Sequence, residues 1–293
     1  MISETTLGAL CALGAAMTWA VTSLLVRSLA PPLGSVAVNA LRSSLGGGLL
    51  LGWVATTGGL AALAAVPGST LALLALSIVA AIAVGDTVFF ESTRALGLGR
   101  AMTISMTYPV GAAVLAALFL DEPITLPVAA GMLITLAGLV LIVSPWAERA
   151  AGERFWWGVG AATLASLAWA ISVALLKTPL SALEPVTAQA VRLPLAALVL
   201  WATPWARGAL GAAAGGGRPL LLRLGVLSVL TALSSVMFVA GVKYAGVAVA
   251  AVLSSTAPMF AIPLGWFFLG ERLSPAALAG AAVTVAGIVV LRL

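Results

Sequence analysis

Long apolar runs alternate with short polar or Gly/Pro-rich stretches along the whole chain. Ten runs stand out, at 7–29, 35–57, 70–93, 98–120, 124–145, 155–177, 185–206, 219–243, 247–269 and 275–292. Each approaches the ~20 residues that an α-helix needs to cross a bilayer. Turn chemistry separates them. Pro31-Pro32 ends the first run, and Gly58-Gly59 and Pro67-Gly68 bracket the longest loop of the first half. Gly97-Leu98-Gly99 parts the third from the fourth, Asp121-Glu122-Pro123 makes a tight turn, and Gly215-Gly216-Gly217-Arg218-Pro219 closes a Gly/Ala loop. Trp146, Trp156, Trp157, Trp201, Trp205 and Trp266 fall near run ends, where an indole sits well at headgroup level. The pattern predicts an all-α membrane protein with ten transmembrane helices.

Composition supports this reading. Of 293 residues, 62% are hydrophobic and 8% charged, against about 25% charged in a soluble domain. The chain has no His, which excludes Ser-His-Asp triads and imidazole metal sites. The single Cys11 lies in an apolar run and reads as a small buried hydrophobe. Net charge is +5, but the fourteen Lys and Arg are scattered singly at run ends. They form no phosphate track, so nucleic acid is not an expected partner. No P-loop or dinucleotide fingerprint occurs, so no cofactor and no metal are expected. Ser28-Leu29-Ala30 has the look of a signal-peptide cleavage site, but the preceding segment carries Glu4 and no positive charge. The first run is therefore expected to stay in the mature fold.

The chain also repeats itself. At an offset of 150, Met17-Thr18-Trp19-Ala20 falls on Leu167-Ala168-Trp169-Ala170, Arg27 on Lys177, and Asn39-Ala40-Leu41-Arg42 on Gln189-Ala190-Val191-Arg192. At 149, Arg94 falls on Lys243, Gly97 on Gly246, Pro109 on Pro258, Glu122 on Glu271, Gly131 on Gly280 and Gly138 on Gly287. The halves, 1–147 and 148–293, hold five runs each. Five is odd, so the second half enters the membrane from the opposite side. Inverted repeats of this kind build secondary carriers, with the substrate near the midplane.

These matched residues resemble the drug/metabolite transporter superfamily, in its ten-helix form of two EamA-type repeats. Three features carry the resemblance. An early Trp is followed by a basic residue eight later (Trp19/Arg27, Trp169/Lys177), and an Arg lies inside the second span of each half (Arg42, Arg192). Leu120-Asp121-Glu122-Pro123 precedes Gly131 and Gly138, as Leu269-Gly270-Glu271-Arg272 precedes Gly280 and Gly287. The resemblance covers essentially the whole chain. It implies a ten-helix basket around a central cavity lined by helices one, three, four, six, eight and nine. It also implies export of amino acids, aromatic ones and threonine included, or of other metabolites and drugs. The implied location is the bacterial inner membrane, with both termini in the cytoplasm.

Asp86, inside the third run, is the sharpest candidate, because a carboxylate in hydrocarbon must face a cavity or a partner. Two readings stand: a contact for a substrate ammonium or for protons, and a packing carboxylate paired with a nearby Arg. Its repeat counterpart, Ser235, is uncharged. Glu91 and Arg94, three apart, suit a pair on one helix face. Arg42 and Arg192 lie roughly two turns into their runs at inverted positions. They suit scaffold or gate roles, with heads snorkelling to an interface. Glu122 and Glu271 read as surface or gate-hinge residues. Pro109 and Pro258 recur mid-run, as bends or hinges. Beside them lie Thr103, Ser105, Thr107 and Tyr108 in one half and Ser254, Ser255 and Thr256 in the other. These hydroxyls either bond their own helix or touch substrate. Trp19 and Trp169 offer a stacking wall or core packing.

The expected function is a secondary carrier exporting small metabolites, amino acids first, driven by the substrate gradient or by protons. A multidrug or other metabolite exporter of the same superfamily is the alternative. An intramembrane aspartyl protease is disfavoured, since no second motif aspartate follows Asp86 in a run. A channel is disfavoured by the absence of a ring of charges. A complete pair of repeats in one chain suits a monomer. Ten of the fourteen Lys/Arg lie on the side opposite the termini, which by charge alone would place both termini outside.

Overall fold

The computed structural model describes residues 3–119, 124–147 and 153–290, all helix and turn, with no strand among them. Span 1 is Glu4–Ser28 and span 2 Ser35–Thr56. Span 3 runs Gly68–Leu96. Span 4 comprises Leu98–Ser105 and Tyr108–Phe119, and span 5 is Leu126–Ala147. Span 6 is Glu153–Leu180, and span 7, Pro185–Trp201, is followed by a 91° bend into Pro204–Gly215. Span 8 begins at Gly217 and ends at the non-helical Gly246, span 9 is Val249–Leu269, and span 10 is Pro275–Val290. Spans 1, 3, 6, 8 and 9 cross on length and apolar character alone. Span 2 is diluted by glycines and by Asn39, Arg42, Ser43 and Ser44, and span 4 is broken before Tyr108.

The packing obeys the inverted repeat. Span 1 lies along span 8, and its mirror image, span 6 along span 3, is also made. Span 9 packs on span 1 as span 4 packs on span 6. Spans 2 and 7 face each other, as do spans 5 and 10. In lipid, helices gain little from burying apolar surface against one another, so such contacts depend on close approach. Leu126, Leu133, Val140, Leu198, Phe267 and Phe268 point outward, as a lipid-facing surface should.

Both membrane faces are tied by side chains that ten crossings bring to the same side. On one face Glu271 accepts from the backbone N–H of Leu98 at 2.8 Å and pairs with Arg27 at 3.5 Å. There too Arg94 donates to Leu33 O and Arg154 to Arg94 O. On the other face Lys243 pairs with Glu184 at 2.6 Å, and Tyr244 Oη donates to the same carboxylate at 3.0 Å. Glu122, the repeat partner of Glu271, lies outside the described residues, as do Asp121, Arg149 and Arg292. Arg42 and Arg192 are buried in the bundle, so two of the fourteen cations weighed for orientation never reach a membrane face.

The turns that part spans 3 from 4 and 8 from 9 are made alike. Gly97 has φ 84° and ψ 163° and Gly246 φ 86° and ψ 155°, a region essentially reserved for glycine that costs another residue ~1–3 kcal/mol. A Cβ on Gly97 would also meet the Glu271 carboxyl carbon at 3.0 Å, whereas one on Gly246 meets nothing within 4 Å. Gly97→Ala is therefore expected to lower the melting midpoint in detergent more than Gly246→Ala. Equal shifts would show that the Glu271 cap adds nothing.

The Lys243 hydrogen bond holds the Glu184 carboxyl below its ordinary range, against an opposing push from burial. A depressed carboxyl stabilises the fold above its unfolded value, and that contribution is lost as pH falls through the folded value. Glu184→Gln should flatten a small part of the melting-versus-pH curve on the acid side. The effect is small because the carboxylate is 66% exposed. An unchanged acid limb in the variant would remove the pair from the account.

Candidate functional site: a cavity between the inverted halves

Where the halves meet there is a cavity of about 140 Å³, room for on the order of ten waters. Trp19 reaches it from span 1, Asp86 from span 3, Tyr108 from span 4, Trp169 from span 6, Ser235 from span 8 and Ser254 from span 9. These are the six spans that the resemblance implied. Spans 2 and 7 join them through Arg42, Gln189 and Arg192, while no described residue of spans 5 and 10 lines it.

The centre is built on an irregular stretch of span 3. Residues Val79–Asp86 form a π-helix, a form that loosens the hydrogen-bond ladder and recurs at functional sites. Its carbonyls have partners from neighbouring spans. Trp169 Nε1 donates to Ala81 O at 3.1 Å, and Asn39 Nδ2 to Ile82 O at 3.4 Å. Gly85 permits the approach, since a Cβ there would stand 2.6 Å from Trp169 Nε1.

Asp86 ends this stretch and is 5% exposed. Its Oδ2 pairs with Arg42 and its Oδ1 accepts from Trp169 Nε1 at 3.0 Å. Arg42 is fully buried, and snorkelling is not what it does. Its Nε donates to Asn39 Oδ1 at 2.7 Å and its Nη1 to Thr231 Oγ1 at 3.2 Å. Its guanidinium lies 4.9 Å from the Phe90 ring centre and 5.6 Å from that of Trp19, within cation–π range. Trp19, Phe89, Phe90 and Trp169 form one aromatic cluster around it. A guanidinium can stay in this interior because its donors and its charge are met by acid, amide, hydroxyl and ring faces.

Arg192 takes the equivalent place in the second half. It donates to Gln189 Oε1 at 2.8 Å and to Ser172 Oγ at 3.1 Å. Among the described residues no carboxylate pairs with it, although it feels the charge of Asp86. Asn39 and Gln189 each stand three residues before their Arg and brace it from the same helix face. That spacing is visible in the repeat, but the bracing is seen only in the fold. No sequence signal pointed to Thr231 or Ser172.

The remaining candidates are placed as follows. Tyr108 Oη shares a hydrogen bond with Ser254 Oγ at 2.7 Å, joining spans 4 and 9 at the cavity wall. Thr107 and Ser255 are buried outside the lining. Thr107 Oγ1 bonds Ile104 O at 2.7 Å and Ser166 Oγ at 3.1 Å. Ser235 Oγ bonds back to Ala232 O at 2.9 Å. Pro109 and Pro258 do not bend continuous helices. The chain breaks just ahead of each, and the helix restarts at Tyr108 and at Ala257, so each proline is the second residue of a new segment, where its missing N–H costs nothing. Glu91 and Arg94 pair at 3.3 Å outside the cavity. Among the described residues no cluster of His, Cys, Asp or Glu could hold a metal.

The sequence pattern of the EamA-like transporter family matches residues 6–144 and again 156–293. No curated protein matches the chain. Several solved structures do. One, described only as the crystal structure of a protein, has a TM-score of 0.65 at 17% identity over 100% of this chain and 98% of its own, a likeness of fold.

Proposed function

The chain belongs to the EamA-like transporter family, and we propose that it exports a small metabolite, an amino acid foremost, across the bacterial inner membrane. The work is carriage by alternating access, done by a single chain. One observation carries this reading: the cavity lies between two inverted halves and is lined from both by aromatic and polar groups. Rocking one half against the other would open it to either side in turn.

Asp86 is already engaged by Arg42 and Trp169, so its part in this reading is a latch joining spans 2, 3 and 6. A proton taken up by Asp86 would remove the charge that holds Arg42, which ties proton arrival to release of the latch. Proteoliposomes loaded with an amino-acid mixture, with and without a pH gradient, test both points. Saturable efflux of a subset of amino acids, sensitive to the gradient in wild type and insensitive in Asp86→Asn, is the expected result. No efflux of any of them from folded protein would sink the amino-acid assignment.

A further inference from the structure

At one of the places where the two halves differ in the cavity, two donors are left without an acceptor. In the first half-site the Asp86 carboxylate accepts from Arg42 and from Trp169 Nε1. The repeat carries Arg42 onto Arg192, Trp169 onto Trp19 and Asp86 onto Ser235. The mirrored donors are both present and both line the cavity. Arg192 is 3% exposed, and its Nε has no hydrogen-bond partner; nor has the buried Nε1 of Trp19. At the mirrored acid position stands Ser235, whose hydroxyl is turned back to Ala232 O.

We propose that Arg192 and Trp19 form a seat for the carboxylate of the transported molecule, which plays in the second half the part that Asp86 plays in the first. An arginine buried without a paired carboxylate is costly, and a ligand carboxylate at this place would meet its charge and its free Nε together. Ile78, Ile82, Val173 and Phe238 supply apolar wall around it. The ligand class is therefore a small carboxylate with an apolar body. With Asp86 already engaged, no acid of the cavity is left to read an ammonium, so the des-amino carboxylate binds as the amino acid does. This inference rests on the cavity being the substrate site.

The test is calorimetric binding to the purified full-length protein, beside flux in proteoliposomes. The probes are leucine and phenylalanine, their des-amino counterparts isocaproate and phenylpropionate, and their decarboxylated counterparts isopentylamine and phenethylamine. Carboxylates of at least one series should bind and the amines should not. Arg192→Gln should weaken carboxylate binding about tenfold or more. Ser235→Asp restores the acid that the symmetry calls for. It should lose carboxylate binding while its melting midpoint is held or raised, which separates the seat from general damage to the fold. Amines binding as well as carboxylates, or both variants binding carboxylates as wild type does, would overturn the seat while saturable amino-acid flux kept the carrier reading intact. Absence of saturable flux for any probe in folded wild type would remove the amino-acid assignment, and the seat with it.

Discussion

Asp86→Ala is expected to destabilise the protein by ~3–5 kcal/mol, the range for breaking a buried ion pair from one side. The cost arises from what remains rather than from what is lost. Arg42 is fully buried, with Asn39, Thr231 and two aromatic faces around it. None of these neighbours carries the charge that balances it. Trp169 Nε1 would lose its 3.0 Å acceptor and keep only Ala81 O. Arg42→Met should be similarly harmful, because it leaves a carboxylate in the same low-dielectric interior. The double variant Arg42→Met/Asp86→Leu should recover much of the loss, since well-packed apolar groups replace buried pairs at little cost or even a gain. Detergent-based unfolding of the four proteins, read as a double-mutant cycle, gives the coupling directly. Additive losses would mean that the pair does not hold spans 2 and 3 together.

The second large effect is expected at the crossing of spans 5 and 10. A Cβ on Gly138 would stand 2.4 Å from Thr284 Oγ1 and 2.5 Å from its backbone nitrogen. On Gly287 it would stand 2.4 Å from the backbone nitrogen of Thr135. The two threonines turn their hydroxyls back onto Gly131 O and Gly280 O, each at 2.8 Å, which keeps the contact face smooth. Gly138→Leu forces the backbones apart. Overpacking of this kind costs ~1–3 kcal/mol in a soluble core, and here lipid supplies little apolar drive to bring the helices back. A lower melting midpoint is expected, with ligand affinity of the folded fraction unchanged, because no described residue of either span lines the cavity. A melting midpoint equal to wild type would mean that the two helices do not cross at these glycines.

Much of this architecture is legible in the sequence because bilayer physics writes it there. A span must be long and apolar, and ten such runs divided by Gly and Pro turns are what the helices follow. The offset of 150 residues, then 149, already implied that contacts would come in mirrored pairs, as spans 1 with 8 and 6 with 3 do. Local breaks were harder to read. Matched prolines suggested bends, but helices Tyr108–Phe119 and Ala257–Leu269 restart at them. The π-helix of Val79–Asp86 left no mark, since its residues are as apolar as those of an ordinary span. Asp86 stood out because a carboxylate in hydrocarbon is costly. Its partner could not be chosen from sequence, because Arg42 lies 44 residues away on another helix. Arg42 was expected to snorkel, and tertiary packing overrode that expectation by supplying an acid, an amide and two rings within the bundle.

The central claim is that the cavity between the halves is the path of transport. Ser235 lines it and bonds only its own helix among the described residues, so Ser235→Cys in a Cys11→Ala background places one thiol there. A membrane-impermeant thiol reagent is applied from each face in turn, with and without a substrate gradient, and amino-acid flux is followed in the same vesicles. The account predicts labelling whose accessible face changes with the gradient, and arrest of flux once the thiol is modified. Complete modification with flux continuing at the unmodified rate would contradict it.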